Sequence, residues 1–195
     1  MKNYTIQERA KFYNSLFLNY PPLVCTDRWL YGVWMLGNNY RSKQGYYGEY
    51  PPAYLKRVTS LFPDCENILH LFSGSLKECI GIRFDINQSC EPDIVGDAEY
   101  LSTYFPDNYF SIIYADPPYS EEDANKYGRC MVKRNKVLAE CYKIICPGGF
   151  LVWLDQVLPM YRKSEFTLIG TIGIIRSTNH RFRVVSIFQK RMEKG

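Results

Sequence analysis

Asp116, Pro117, Pro118 and Tyr119 stand together in a pattern with a chemical use. The carboxylate of Asp116 and the carbonyl of Pro117 can between them accept both protons of an amine carried on a flat ring, and Tyr119 offers a face on which that ring can stack. The prolines have a fixed φ and no N–H, so the acceptors are held stiffly and meet no competing donor from their own backbone. Taken alone, the four residues fit equally well a proline turn closed by an exposed tyrosine. Their flanks decide.

Three further groups could act on a ligand. Residues 67–72 form an apolar run that ends in Phe72-Ser73-Gly74-Ser75, where small residues let a ligand approach the backbone and exposed N–H groups favour an anion. The next run, Cys79 to Ile86, carries Asp85 at its end, in position to take both hydroxyls of a ribose. A third, Asp93 to Ala98, carries Asp97, which can accept from the exocyclic amine of an adenine with Ala98 against the ring. Each acid by itself is commonly a turn or N-cap residue. Together, Gly74, Asp85, Asp97 and Asp116 at four successive strand ends describe a nucleoside lying across one edge of a parallel sheet.

In this order and spacing, residues 67–191 resemble the class I S-adenosylmethionine-dependent methyltransferases, and within them the D-P-P-Y amino-methyltransferases of nucleic acids. The resemblance implies an α/β, Rossmann-like fold with a mostly parallel seven-stranded sheet and a C-terminal antiparallel hairpin. It implies S-adenosyl-L-methionine as cofactor, with its methionine part at Phe72, Ser73 and Gly74, its ribose on Asp85, and its adenine against Asp97 and Ala98. Asp116, Pro117, Pro118 and Tyr119 would then hold the target amine, and adenine N6 in DNA is the preferred target, reached by extruding the base from the duplex. Small ribosomal RNA base methyltransferases use the same loop at this chain length and are the alternative. A further alternative is a subunit that has lost its cofactor site and binds nucleic acid beside a catalytic partner. The family's turn, D-x-F-x-G-x-G, has His70 in place of its acid and Leu76 in place of its second glycine. Because eleven positions separate Gly74 from Asp85, the first crossover helix is expected to be lost or reduced to about a turn.

The elements that must carry these residues follow from periodicity. A chain of 195 residues suits one domain, with residues 1–60 as an N-terminal arm or lid and 61–195 as the catalytic core. In the arm, Tyr4 to Tyr20 predicts a helix with Phe12, Leu16 and Phe17 on one face. The Gly-, Asn- and Tyr-rich stretch from Trp29 to Tyr50 predicts loops, and Pro51-Pro52 open a helix from Ala53 to Leu61. In the core, Phe110 to Ala115 reads as a buried strand, Asn135 to Ile145 as a helix closed by Pro147-Gly148-Gly149, and Phe150 to Leu154 as the following strand. Thr167 to Arg176 and Arg181 to Lys190 read as a hairpin turning at Ser177 to His180. Arg176, Asn179, His180 and Arg181, with Arg183 beyond them, make that hairpin rich in donors for phosphates or bases, and with Tyr119 they form the expected substrate surface.

Composition narrows the partners. The net charge of +4 divides into +5 over residues 1–60, −10 over 61–127 and +9 over 128–195, a basic rim around an acidic centre that suits a polyanion lying over a pocket for a cationic cofactor. With little chain left over for target recognition, a partner subunit for that purpose is also compatible. Seven cysteines without a C-x-x-C pair read as reduced thiols in the cytoplasm, and with only His70 and His180 to join them no metal site is expected. No apolar run approaches the roughly 20 residues of a membrane span, and no signal-peptide pattern is found.

Overall fold

The structure, a computed structural model, describes residues 4–37, 50, 53–77, 79–119, 131–176 and 182–192. Helix α1 (Ile6–Leu16) is followed by strands β1 (Val24–Cys25) and β2 (Leu30–Leu36) and helix α2 (Tyr54–Thr59). Strands β3 (Ile68–Leu71), β4 (Ile82–Asp85), β5 (Ile94–Val95) and β6 (Phe110–Ala115) come next, then helix α3 (Arg134–Ile144) and strand β7 (Ile145–Asp155). Strands β8 (Phe166–Arg176) and β9 (Phe182–Lys190) end the fold.

Among the described residues nine strands form one sheet, in the order β1-β2-β8-β9-β7-β6-β3-β4-β5. The segment β5-β4-β3-β6-β7 has the doubly wound order 3-2-1-4-5, with its switch point between β3 and β6. Pairing there is parallel throughout, β9 is antiparallel to both β7 and β8, and the sheet is Rossmann-like with the expected terminal hairpin. The sheet has nine strands where seven were expected, those seven readings falling on β3 to β9. The arm adds two more, since β2 pairs in parallel with β8 from Leu30 opposite Gly170 to Leu36 opposite Arg176, and β1 folds back on β2. The reading of Trp29 to Tyr50 as loop is therefore corrected over Leu30–Leu36. That strand's apolar residues at alternate positions, Leu30, Trp34 and Leu36, are buried while Tyr31, Val33 and Met35 face out, a period of two hidden by the surrounding glycines and tyrosines. Close docking needs a bare backbone on the partner, because a Cβ at Gly170 would sit 2.7 Å from the carbonyl of Leu30.

The sheet has a core on each side. One holds α1 and α2 against β2, β8, β9 and the inner strands through Tyr13, Trp34, Tyr54 and Val58, with Tyr114 and Ile187 opposite them. The other packs Val137, Leu138, Cys141 and Ile144 of α3 on Leu69, Ile113, Leu151 and Trp153. Burial from both sides explains why β6 reads as a continuous apolar run, with Phe110, Ile112, Ile113, Tyr114 and Ala115 all buried.

Helix α1 buries Arg9, Ala10 and Tyr13; of the predicted face Phe17 packs against that core and Leu16 is exposed, so the inward face is turned partly away from the expected one. Arg9 decides this. Its guanidinium donates to both carboxylate oxygens of Asp64 at 2.6 and 2.8 Å and to the Leu61 carbonyl, and it lies over the rings of Phe62 and Phe150. Between β3 and β4 none of the described residues is helical, as the short spacing requires. Pro147-Gly148-Gly149 lie inside β7, where the register against β6 shifts between Phe110 and Ile112, so the expected break is an irregularity within a strand. No helix among the described residues is long and apolar enough to cross a membrane.

Candidate active site

Chain order and sheet order together bring the expected strand ends to one edge. Leu71 pairs with Ala115, so the Phe72-Ser73-Gly74 turn and Asp116 leave neighbouring strands side by side, and the Asp116 N–H donates to the Leu71 carbonyl at 3.4 Å. Asp85 ends β4 on the other side of that turn, and Asp97 follows β5. The crevice they border is the switch point, where open α/β sheets receive ligands.

The turn is strained and partly unsatisfied. Phe72 has a φ of 59° and Gly74 of 52°. Such a conformation is natural for glycine but costs a bulky residue of order 1–3 kcal/mol, and strain of this kind clusters at ligand sites. Ser73 is 1% exposed, its N–H donates to the Phe84 carbonyl, and its hydroxyl has no partner. The Gly74 N–H donates to one carboxylate oxygen of Asp85 at 2.8 Å, and the Asn87 N–H donates to the other at 2.9 Å. Asp85 is thus aimed across the turn, and each oxygen can still accept a second bond. Asp97 accepts from the Glu99 N–H and caps the 3-10 turn that begins at Ala98, while Ala98 is buried beside Phe84 and Leu101.

His70, at the acid position of the turn, is 2% exposed and stacks on Tyr114. Its Nε2 lies 3.2 Å from the Ile80 carbonyl, which makes Nε2 the donor and leaves Nδ1 as a buried acceptor without a partner. Burial lowers its pKa, so the ring is neutral.

At the end of β6, Pro117 is buried and the Tyr119 hydroxyl donates to Oδ1 of Asp116. Asp116 keeps some contact with solvent, yet burial of its carboxyl pushes its pKa up to about 7, against the lowering effects of the Tyr119 hydrogen bond and the nearby Arg183 cation. The Arg183 guanidinium sits 4.4 Å from the centre of the Tyr119 ring, on one of its two faces, and its Nε is buried without a partner. The arm supplies the next layer. The Tyr50 hydroxyl donates to the Tyr114 carbonyl at 3.4 Å, and Tyr50 stacks on Tyr54 with ring centres 5.6 Å apart.

A strut fixes the far end of the loop. Arg134, the first residue of α3, donates from Nη2 to the Tyr119 carbonyl at 3.3 Å and from Nε to Asp155 at 2.7 Å. Asp155 ends β7, is fully buried, and also accepts from the Trp153 indole and the Gln156 N–H. Sequence reasoning missed Arg134, Asp155, Tyr50 and Tyr54. For Asp155 the signal was present, an acid at a strand end like the others.

Of the expected site residues, Phe72, Ser73, Gly74, Asp85 and Asp116 to Tyr119 come together here, with Asp97 and Ala98 one strand further out. Asn179, His180 and Arg181 lie outside the described residues, as does the side chain of Arg176. Among the described residues, no group of three or more His, Cys, Asp or Glu side chains could hold a metal ion.

No protein-family model and no curated protein matches the chain. Solved structures that are similar to it include class I methyltransferases. An S-adenosylmethionine-dependent methyltransferase from Methanosarcina mazei aligns at 15% identity and a TM-score of 0.49, over 66% of this chain and 94% of its own. TrmN from Thermus thermophilus aligns at 15% identity and a TM-score of 0.44, over 64% of this chain, which spans only 44% of TrmN. The N-methyltransferase NodS from Bradyrhizobium japonicum, solved with S-adenosyl-L-homocysteine, aligns at 12% identity and a TM-score of 0.39, over 97% of this chain and 89% of NodS. The fold assignment rests on the strand order itself.

Proposed function

We propose that this chain transfers a methyl group from S-adenosylmethionine to the exocyclic amine of a nucleobase, adenine N6 in DNA. The observation that carries the reading is the stiff acceptor loop at the switch point, where Asp116 is held with a pKa of about 7 beside the ring of Tyr119. An amine conjugated into a ring is a poor nucleophile. Asp116 and the Pro117 carbonyl would hold both of its protons and draw the nitrogen toward tetrahedral geometry, which takes its lone pair out of conjugation with the ring. When the nitrogen gains a carbon, it must give up a proton, and a carboxylate with a pKa near 7 is suited to take it. Tyr119 replaces the stacking that an extruded base has lost.

The turn after β3 fits the cofactor. Ser73 carries a buried hydroxyl with no partner, Phe72 and Gly74 hold the backbone on either side of it in the left-handed conformation, and Asp85 has lone pairs left for two ribose hydroxyls. The cofactor supplies a methyl group bound to a cationic sulfur. The chain's own part is to fix that group's surroundings and to exclude water from them, which the buried tyrosines of the arm support.

The test is mass spectrometry of nucleosides after incubation of the purified chain with isotopically labelled S-adenosylmethionine and a mixture of DNA and RNA. N6-methyladenine in DNA is the expected product; label on an RNA base would move the substrate, and no label would overturn the reading. Asp116→Ala is expected to abolish transfer while the cofactor still raises the melting temperature, since a ligand that prefers the native state stabilises it.

A further inference from the structure

Tyr119 is held by its hydroxyl, by its carbonyl and by one face of its ring. The hydroxyl donates to Asp116, the carbonyl accepts from Arg134, and the Arg183 guanidinium lies 4.4 Å from the ring centre. The last of these contacts has no part in the chemistry proposed above. Arg183 stands on β9, on the same face as Val185 and Ile187, which are buried under α1 and α2. Its neighbour Val184 pairs with Asp155, which binds Arg134, so one ladder places both arginines that grip the tyrosine. Strand β9 lies on the flank of β6 opposite to β3, and the cation therefore comes from the side away from the Phe72-Ser73-Gly74 turn. The Arg183 side chain is partly buried, its Nε has no hydrogen-bond partner, and no ion pair among the described residues includes it. A charge withdrawn from water without a counter-ion is costly. What it gains here is the π face of Tyr119, and among the described residues no second ring or cation lies on that tyrosine.

We infer that Arg183 is a positioning residue for the transfer: it closes one face of Tyr119 and fixes the plane of the ring, so that the substrate's ring stacks on the other face with its amine at Asp116. This deepens the proposed function and rests on it. The prolines stiffen the backbone before Tyr119, but its side chain still turns about its own bonds, and a hydroxyl bound at one point permits a swing about that point. A cation on one face removes that freedom and leaves a flat ligand a single place to stack. Guanidinium suits the task, since it is planar and lies flat against an aromatic face, which an ammonium does not.

The experiment measures kcat/KM for methylation of an oligonucleotide by the unaltered chain, Arg183→Met, Tyr119→Leu and the double variant. Because the Arg183 charge also lowers the Asp116 pKa, rates are compared at about pH 9, well above the Asp116 value of about 7. Arg183→Met keeps the length of the side chain and breaks no ion pair, so the melting temperature and its rise with S-adenosylmethionine are expected to stay level. In the unaltered background it is expected to lower kcat/KM about tenfold, as the loss of a partly desolvated cation on an aromatic face does. In the Tyr119→Leu background the further loss is expected to be less than about twofold, because the ring through which the cation acts is gone. Arg183→Lys, which keeps the charge but not the planar group, is expected to recover only part of the activity. Losses of equal size in both backgrounds would overturn the positioning role, and if they shrank with added salt they would make Arg183 a direct phosphate contact instead. Full activity of Arg183→Met would overturn it as well, while leaving methyl transfer intact. Absence of methylation by the unaltered chain would overturn both readings together.

Discussion

Asp116 is a carboxylate whose surroundings oppose its own charge, and this sets how the site responds to pH. Burial raises its pKa to about 7, while the Tyr119 hydroxyl and Arg183 pull the other way. An amine-holding Asp116 acts as the carboxylate, so kcat/KM is expected to rise with pH through about 7 and to flatten above it. Stability moves in the opposite sense. Between the ordinary carboxylate pKa of about 4 and the folded value, the native chain binds a proton that the unfolded chain has released, so this residue's contribution to stability falls as pH rises across that window. Asp116→Asn is expected to remove both limbs, becoming more stable than the parent toward neutral pH while losing activity. Tyr119→Phe keeps the ring but removes a hydrogen bond that lowers the Asp116 pKa. Its activity limb is therefore expected at higher pH, read from kcat/KM profiles of the two proteins side by side. An unshifted profile would mean that another group titrates.

Among the elements, the Asp116–Tyr119 segment is only as rigid as the strut that holds its end. Arg134 joins the Tyr119 carbonyl to Asp155 across the start of α3 and the end of β7, with Asp155 fully buried. Removing the cation leaves that carboxylate to the Trp153 indole and the Gln156 N–H alone. Breaking a buried pair costs ~3–5 kcal/mol, and because Arg134 is partly exposed and two donors remain, the lower end is expected for Arg134→Ala. Urea denaturation checks the stability. A rise in KM for the oligonucleotide larger than any change in cofactor affinity would separate a loosened loop from general damage. The sequence made the acceptor loop and the strand beneath it legible, since both are contiguous and β6 is buried on both faces. It hid the strut, because Arg134 and Asp155 lie 21 positions apart and meet only through the packing of α3 on the sheet. For the same reason Tyr50 and Tyr54 escaped notice. Tyr50 ends a glycine-rich stretch that carries no period, and Tyr54 reads only as a core position of the helix that Pro51-Pro52 open, so that the two stack on each other beside Tyr114 appears only in the fold.

For the whole molecule the decisive question is whether residues 1–60 behave as a lid on the core or as part of it. The architecture argues for part of it. Strand β2 extends the sheet by a full parallel ladder on β8, Trp34 and Tyr13 stack within the same apolar cluster as Ile112, Val152 and Ile187, and Arg9 binds Asp64 from inside that cluster. A lid must separate from its base at little cost, whereas here separation would expose a shared core and strip a strand from its partner. The stack of Tyr50 on Tyr54 and the edge of Trp34 against Tyr54 lie in that same cluster. Hydrogen exchange followed by mass spectrometry tests this directly. Amides of Leu30–Leu36 are expected to exchange with an opening free energy within about 1 kcal/mol of those of Phe110–Ala115, and with the same dependence on added urea, as members of one cooperative unit. Exchange of β2 through a small opening that urea hardly affects would instead define a hinged arm.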